Sequence, residues 1–201
     1  MTLKPRLTPA TLAAILAMTL AAPGFAQDLD AAEALLGTDP LVADTDGDGQ
    51  NDLADAAPTF LANPMALTGA AAPCVIREAL VANNHDPVAK ADATDHLELL
   101  VSITGPAALT GFSIHYSFTD ADSGIVEASF RQLDGFEIPT GGEARLHIDD
   151  GVVPGHFRAN PNSIYTTSQA AKSVSVVLMA DGFAPVSVEI AKEAGGAEAA
   201  D

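Results

Sequence analysis

The chain has 201 residues, of which 27 are acidic and 9 basic, for a formal net charge of −18. That balance argues against nucleic acid or an anionic lipid surface as partner, because both repel an acidic chain; it suits cations, basic proteins or solubility in a salty medium. Cys74 is the single cysteine, so no intramolecular disulfide can form.

In chain order, Lys4 and Arg6 make a basic start, and Thr11 to Ala22 (TLAAILAMTLAA) is an apolar run. Gly24 and Ala26 then place small residues at −3 and −1 if cleavage falls before Gln27. This order predicts a secretory signal peptide over residues 1–26, and hence a periplasmic or extracellular protein. The apolar run is shorter than the roughly 20 residues that a membrane span needs. Loss of Lys4 and Arg6 with the signal would leave 7 basic residues against 27 acidic, a net charge of −20.

Residues 27–55 are expected to form a short helix and a cation-binding loop. The helix is predicted over Asp28 to Gly37, with Leu29, Leu35 and Leu36 on its apolar side and Gly37 at its C-terminal end. From Asp44 the sequence then runs D-T-D-G-D-G-Q-N-D-L-A-D. Oxygen ligands fall at loop positions 1, 3 and 5 (Asp44, Asp46, Asp48), and Gly49 follows at 6, where the chain must turn sharply. Gln50 at 7 can offer its backbone carbonyl, and Asp52 and Asp55 occupy positions 9 and 12. Alternate residues of a tight loop point toward one centre, and Ca2+ takes six to eight oxygens at about 2.3–2.6 Å, so the pattern is that of a calcium loop with Asp in place of the final Glu. Magnesium would take fewer protein carboxylates, and zinc is disfavoured where no His or Cys is present. The shorter side chain at position 12 points to an affinity in the extracellular range, roughly 10⁻⁴ to 10⁻³ M.

The stretch GTDPLVADTDGDGQNDLAD, residues 37–55, resembles the thrombospondin type 3 repeat of bacterial secreted proteins. The resemblance implies calcium binding through Asp44, Asp46, Asp48, Asp52 and Asp55. That family strings several repeats together, whereas this chain carries one; a dockerin would carry a second loop.

Residues 56–73, rich in Ala and Pro, read as a linker. Residues 74–192 read as a β-domain large enough to bury a core of its own, followed by a disordered polar tail over 193–201. Cys74 to Ala82 is a first strand or a short helix, with Cys74 as a small buried hydrophobe. His96 to Ile103 is a strand. Phe112, Ile114, Tyr116 and Phe118 alternate with Ser113, His115 and Ser117, and across the DADSG turn Ile125 to Leu133 returns as a hairpin. Glu143 to Asp149 places Leu146 and Ile148 inward, Arg145 and His147 outward. SIYTT, SVSVVLMA and PVSVEIA complete seven or eight strands, an antiparallel β-sandwich by pattern. The ending VSVVLMADGFAPVSVEI resembles the closing hairpin of bacterial immunoglobulin-like modules, which implies an immunoglobulin-like sandwich.

The five histidines form no cluster in sequence and read as surface residues, and no nucleophile, metalloprotease, phosphate-loop or dinucleotide motif is present, so an enzyme is not expected. Asp120 and Asp122 in DADSG read as turn residues, and the irregular stretch Gly155 to Thr167 is the place to look for a ligand surface. The expected function is structural, adhesive or protein-binding, dependent on calcium and directed at a protein or glycan of the cell surface. The alternative is an accessory subunit of a periplasmic oxidoreductase or transport complex, with the β-domain as scaffold.

Overall fold

The computed structural model describes residues 23–82, 85–86, 91–92, 96–149 and 151–195. Residues 1–22 of the expected signal peptide and the tail beyond 195 lie outside them, as do the side chains of His85 and His96. Helix α1 spans Pro23–Leu36 and α2 Ile164–Thr167. The strands are β1 Cys74–Ala82, β2 His85–Asp86, β3 Ala91–Asp92, β4 His96–Ile103, β5 Phe112–Asp120, β6 Val126–Gln132, β7 Glu143–Asp149, β8 His156–Arg158, β9 Lys172–Ala180 and β10 Val186–Lys192.

The chain is mainly β, with two four-stranded sheets ordered β1-β4-β7-β8 and β10-β9-β5-β6. Every pairing in them is antiparallel except β7 with β8. Both sheets contribute to one core, as alternation requires of strands with a single apolar face. Leu97, Leu99 and Val101 of β4 and Leu146 and Ile148 of β7 are buried in one cluster with Phe112, Ile114, Tyr116 and Phe118 of β5 and Val174, Val176 and Leu178 of β9. Cys74 is buried in the same cluster at the start of β1, and burial pushes its thiol pKa up.

Three expectations change. The SIYTT stretch is helix α2, not a strand. Ser163 caps it by accepting the Tyr165 amide at 3.1 Å, and Glu127 accepts the Ile164 amide at 2.9 Å. Satisfied first-turn amides outweigh the weak alternation of so short a segment. The apolar side expected for α1 is not buried, since Leu29, Leu35 and Leu36 are all exposed. His115, expected on the surface, is buried: its ring Nε2 lies 2.8 Å from the Leu61 carbonyl, because residues 59–66 cover that face of β5.

The Ala/Pro-rich segment has no regular structure, yet it runs along the sheets. Phe60 bridges to Ala128 of β6 and Ala70 to Phe183, while Met65 is buried. The Ala128 amide donates to the Thr59 carbonyl and the Leu61 amide to the Ala128 carbonyl, both at 2.9 Å.

Candidate metal centre

Asp44, Asp46 and Asp48 each bring a carboxylate oxygen within 4.8 Å of the others. The backbone around them is shaped by the same side chains. Asp44 accepts the amides of Gly47 and Gly49, each at 2.9 Å, Asp46 Oδ1 accepts that of Asp48 at 3.1 Å, and Asp48 Oδ1 accepts that of Gln50 at 2.6 Å. These are the local turns that Asp favours, and Gly47 and Gly49 take the positive φ values of 86° and 93° that close them.

Asp46 is the unusual member. It is 1% exposed, and its Oδ2 is buried with no hydrogen-bond partner. Buried polar atoms are nearly always bonded, and an unsatisfied charged one costs most, so this oxygen lacks something that an ion would supply. Burial pushes the Asp46 pKa up to about 6; the Asp48 amide works against the rise, and the nearby charges of Asp48, Asp55 and Asp44 add to it. An all-oxygen donor set of this kind fits a hard dication and does not fit a soft one.

The other expected ligands lie around this group with side chains engaged in hydrogen bonds. Asp52 is buried with both oxygens engaged by Thr45, Oδ1 by the amide at 2.7 Å and Oδ2 by the hydroxyl at 2.8 Å. Thr45 Oγ1 in turn accepts the Asp39 amide at 2.9 Å, so Asp52 locks the two ends of the loop together. Asp55 accepts the Ala57 amide at 2.9 Å. The Gln50 side chain donates to Asp48 Oδ2 at 2.8 Å.

The loop is fastened to the β-sheets. The Phe130 amide of β6 donates to the Asp46 carbonyl at 2.8 Å, and Ser129 Oγ to the Thr45 carbonyl at 3.3 Å. A side chain on Gly47 would overlap the Phe130 carbonyl, so glycine is required there for close approach as well as for φ. From the other side, Arg158 donates to both oxygens of Asp39, at 2.7 and 3.0 Å, and Asp39 is buried. Asn160 Nδ2 donates to the Gly37 carbonyl at 2.6 Å, and Asn162 Nδ2 to the Thr38 carbonyl at 2.7 Å. The irregular stretch singled out as a ligand surface thus uses Arg158, Asn160 and Asn162 to grip residues 37–39. Sequence reasoning missed Asp39 and this grip; the signal was a lone Arg among two Asn-rich turns, which has no distinctive spacing.

Asp120 is occupied as a turn residue. Its Oδ1 accepts the amides of Asp122 and Ser123 and the Ser123 hydroxyl, its Oδ2 accepts the Ser168 hydroxyl, and these bonds hold its pKa far below the usual carboxylate range despite the opposing effect of desolvation.

No family model matches the chain, and no curated protein matches it. Solved structures align with parts of it, two of which follow. One is the alkylpurine DNA glycosylase AlkC of Pseudomonas fluorescens bound to DNA containing an abasic-site analogue, at 18% identity and a TM-score of 0.32 over 61% of this chain and 31% of that one. The other is a β-glucosidase involved in saponin metabolism from intestinal bacteria, at 11% identity and a TM-score of 0.27 over 58% of this chain and 16% of that one. The chain thus spans less than a third of either neighbour. Likeness at this level lends it neither a fold family nor an activity.

Proposed function

We propose that the protein is a secreted or periplasmic calcium-binding module, in which an ion held by Asp44, Asp46 and Asp48 orders the N-terminal segment against an immunoglobulin-like β-sandwich. The observation that carries this reading is the buried, unpartnered Oδ2 of Asp46 in a group of three converging carboxylates. Supporting it are the thrombospondin-type loop pattern and the backbone bonds from the loop to β6. The two sheets with a shared core support the sandwich reading.

The role is structural. The Thr45 and Asp46 carbonyls and the Asp39 carboxylate hold the loop on the fold, so calcium sets how firmly the N-terminal segment lies on the sheets. The sandwich then presents a surface to a protein or glycan of the cell envelope, consistent with a charge that repels nucleic acid.

The test is thermal unfolding of the chain from Gln27 onward, in EDTA and in millimolar calcium, beside Asp44→Ala/Asp48→Ala. A calcium-dependent rise in the midpoint that the double variant abolishes is the expected result. Demonstrable binding without any shift would show that the ion does not couple the loop to the sheets.

A further inference from the structure

On the outer face of the other sheet, three side chains outside the acidic loop converge. Strand β7 turns Leu146 and Ile148 into the core, so Arg145, His147 and Asp149 point outward. The parallel β7–β8 pairing sets His147 directly opposite His156. The two imidazoles stack with centroids 4.1 Å apart and planes 1° from parallel. His156 Nδ1 lies 2.5 Å from Asp149 Oδ2, and Asp149 Oδ1 accepts the Gly151 amide at 3.0 Å. One ring nitrogen from each histidine and one Asp149 oxygen lie within 4.8 Å of one another. Their side chains are 17%, 25% and 16% exposed for His147, His156 and Asp149, enough for solvent to reach one side only.

A fourth group backs them. Glu98 of β4 faces His147 across the sheet, with Oε2 3.8 Å from Nδ1, and Arg145 pairs with the same carboxylate. A carboxylate behind an imidazole is the arrangement that orients histidine ligands in metal sites and raises their basicity.

We propose that His147, Asp149 and His156 form a binding site for a transition-metal dication of the zinc class, separate from the acidic loop. Two imidazoles and one carboxylate suit zinc, whereas calcium and magnesium prefer oxygen throughout. A tetrahedral zinc ion needs donors about 3.3 Å apart, given bonds of roughly 2.0–2.1 Å, and imidazole lone pairs lie in the ring plane, so one of the stacked rings rotates out of the stack to close the group on the ion. Ligation through His156 Nδ1 requires the tautomer that carries its proton on Nε2, which leaves the Nδ1 lone pair for the metal beside Asp149. Water completes the coordination on the exposed side. The strand pairing, not a mobile loop, sets the histidine spacing, so the ligands are held close together and only their side chains need to reorient on the metal.

The test is zinc titration of the full chain against a chromophoric chelator in saturating calcium, with cobalt(II) absorption as a report of nitrogen ligation. The expected result is one zinc per chain, kept in Asp44→Ala/Asp48→Ala and weakened about a hundredfold in His147→Gln or His156→Gln. Far-UV circular dichroism establishes that each variant is folded. Asp149→Asn, which keeps the size of the side chain and removes its charge, is the second variant if a histidine replacement unfolds the protein, and it too should weaken binding. Binding that survives all three replacements, or that is lost with the acidic loop instead, would overturn the proposal; so would a wild-type chain with no zinc affinity below the millimolar range.

Discussion

Replacing Asp46 with Asn separates the cost of its buried charge from its use in binding. Asp46 is 1% exposed, and its pKa rises from 3.8 to about 6 without metal. A folded-state value above the unfolded one means that the fold favours the protonated carboxyl. The stability tied to this group is complete below about pH 4 and is lost as the pH rises through about 6. At roughly 1.4 kcal/mol per pKa unit, the ionised carboxylate at neutral pH costs the metal-free fold about 3 kcal/mol. Asn keeps the shape and removes the charge, so in EDTA at pH 7.5 Asp46→Asn should be more stable than wild type by about 1–3 kcal/mol. With roughly 2–4 °C per kcal/mol for a chain of this size, the midpoint should rise by about 2–12 °C. In 10 mM calcium the gap should close. A dissociation constant of about 10⁻⁴ to 10⁻³ M would add about 1.4–2.7 kcal/mol to wild type and nothing to the variant. Urea unfolding followed by far-UV circular dichroism, with and without calcium, measures both numbers. A variant less stable than wild type in EDTA, or one that gains as much from calcium as wild type does, would refute the reasoning.

Three further outcomes are expected. Calcium affinity, measured by titration calorimetry from pH 7.5 to 5, should fall as the pH drops through about 6, because a protonated Asp46 cannot ligate. Arg158→Ala should cost about 1–3 kcal/mol in urea unfolding, since it leaves the buried Asp39 carboxylate without its bidentate donor. Calcium affinity should drop with it, because the same grip holds the loop in place. Gly47→Ala and Gly49→Ala both put Ala at a positive φ, but only the first would meet Phe130. The first should therefore cost more by at least about 1 kcal/mol, and weaken calcium binding as well.

Much of the β architecture is legible in the sequence because alternation is a direct imprint of burial on one face. Glu143 to Asp149 and His96 to Ile103 end where the pattern ends, and Phe112, Ile114, Tyr116 and Phe118 point into the core as their spacing dictates. Pattern fails where a second layer covers the outer face. His115 reads as a surface residue because nothing in its own strand records that Leu61 will lie across it. The leucines of α1 show the reverse, an apolar spacing left exposed. In the acidic loop, spacing brings out Asp44, Asp46 and Asp48, whose carboxylates do converge. Spacing does not record which carboxylates the fold itself engages, and Thr45 takes both oxygens of Asp52. The pairing of His147 with His156 is invisible in sequence for another reason. It depends on a parallel register after a short return loop, a connection that Gly151 and Gly155, at φ values of 70° and 85°, make possible.

The outer border of β6 carries a wider consequence. A border strand with open amides invites a second chain to pair with it. Here the Ala128 and Phe130 amides are taken by the carbonyls of Thr59 and Asp46. The segment carrying Asp46 and Thr59 therefore covers this border against another strand. A fragment beginning at Cys74 would keep most of the apolar core yet lack that cover, and on the proposed calcium reading a chelated chain would hold it less firmly. Clumping on chelation, before any loss of β-structure, is the behaviour this design implies.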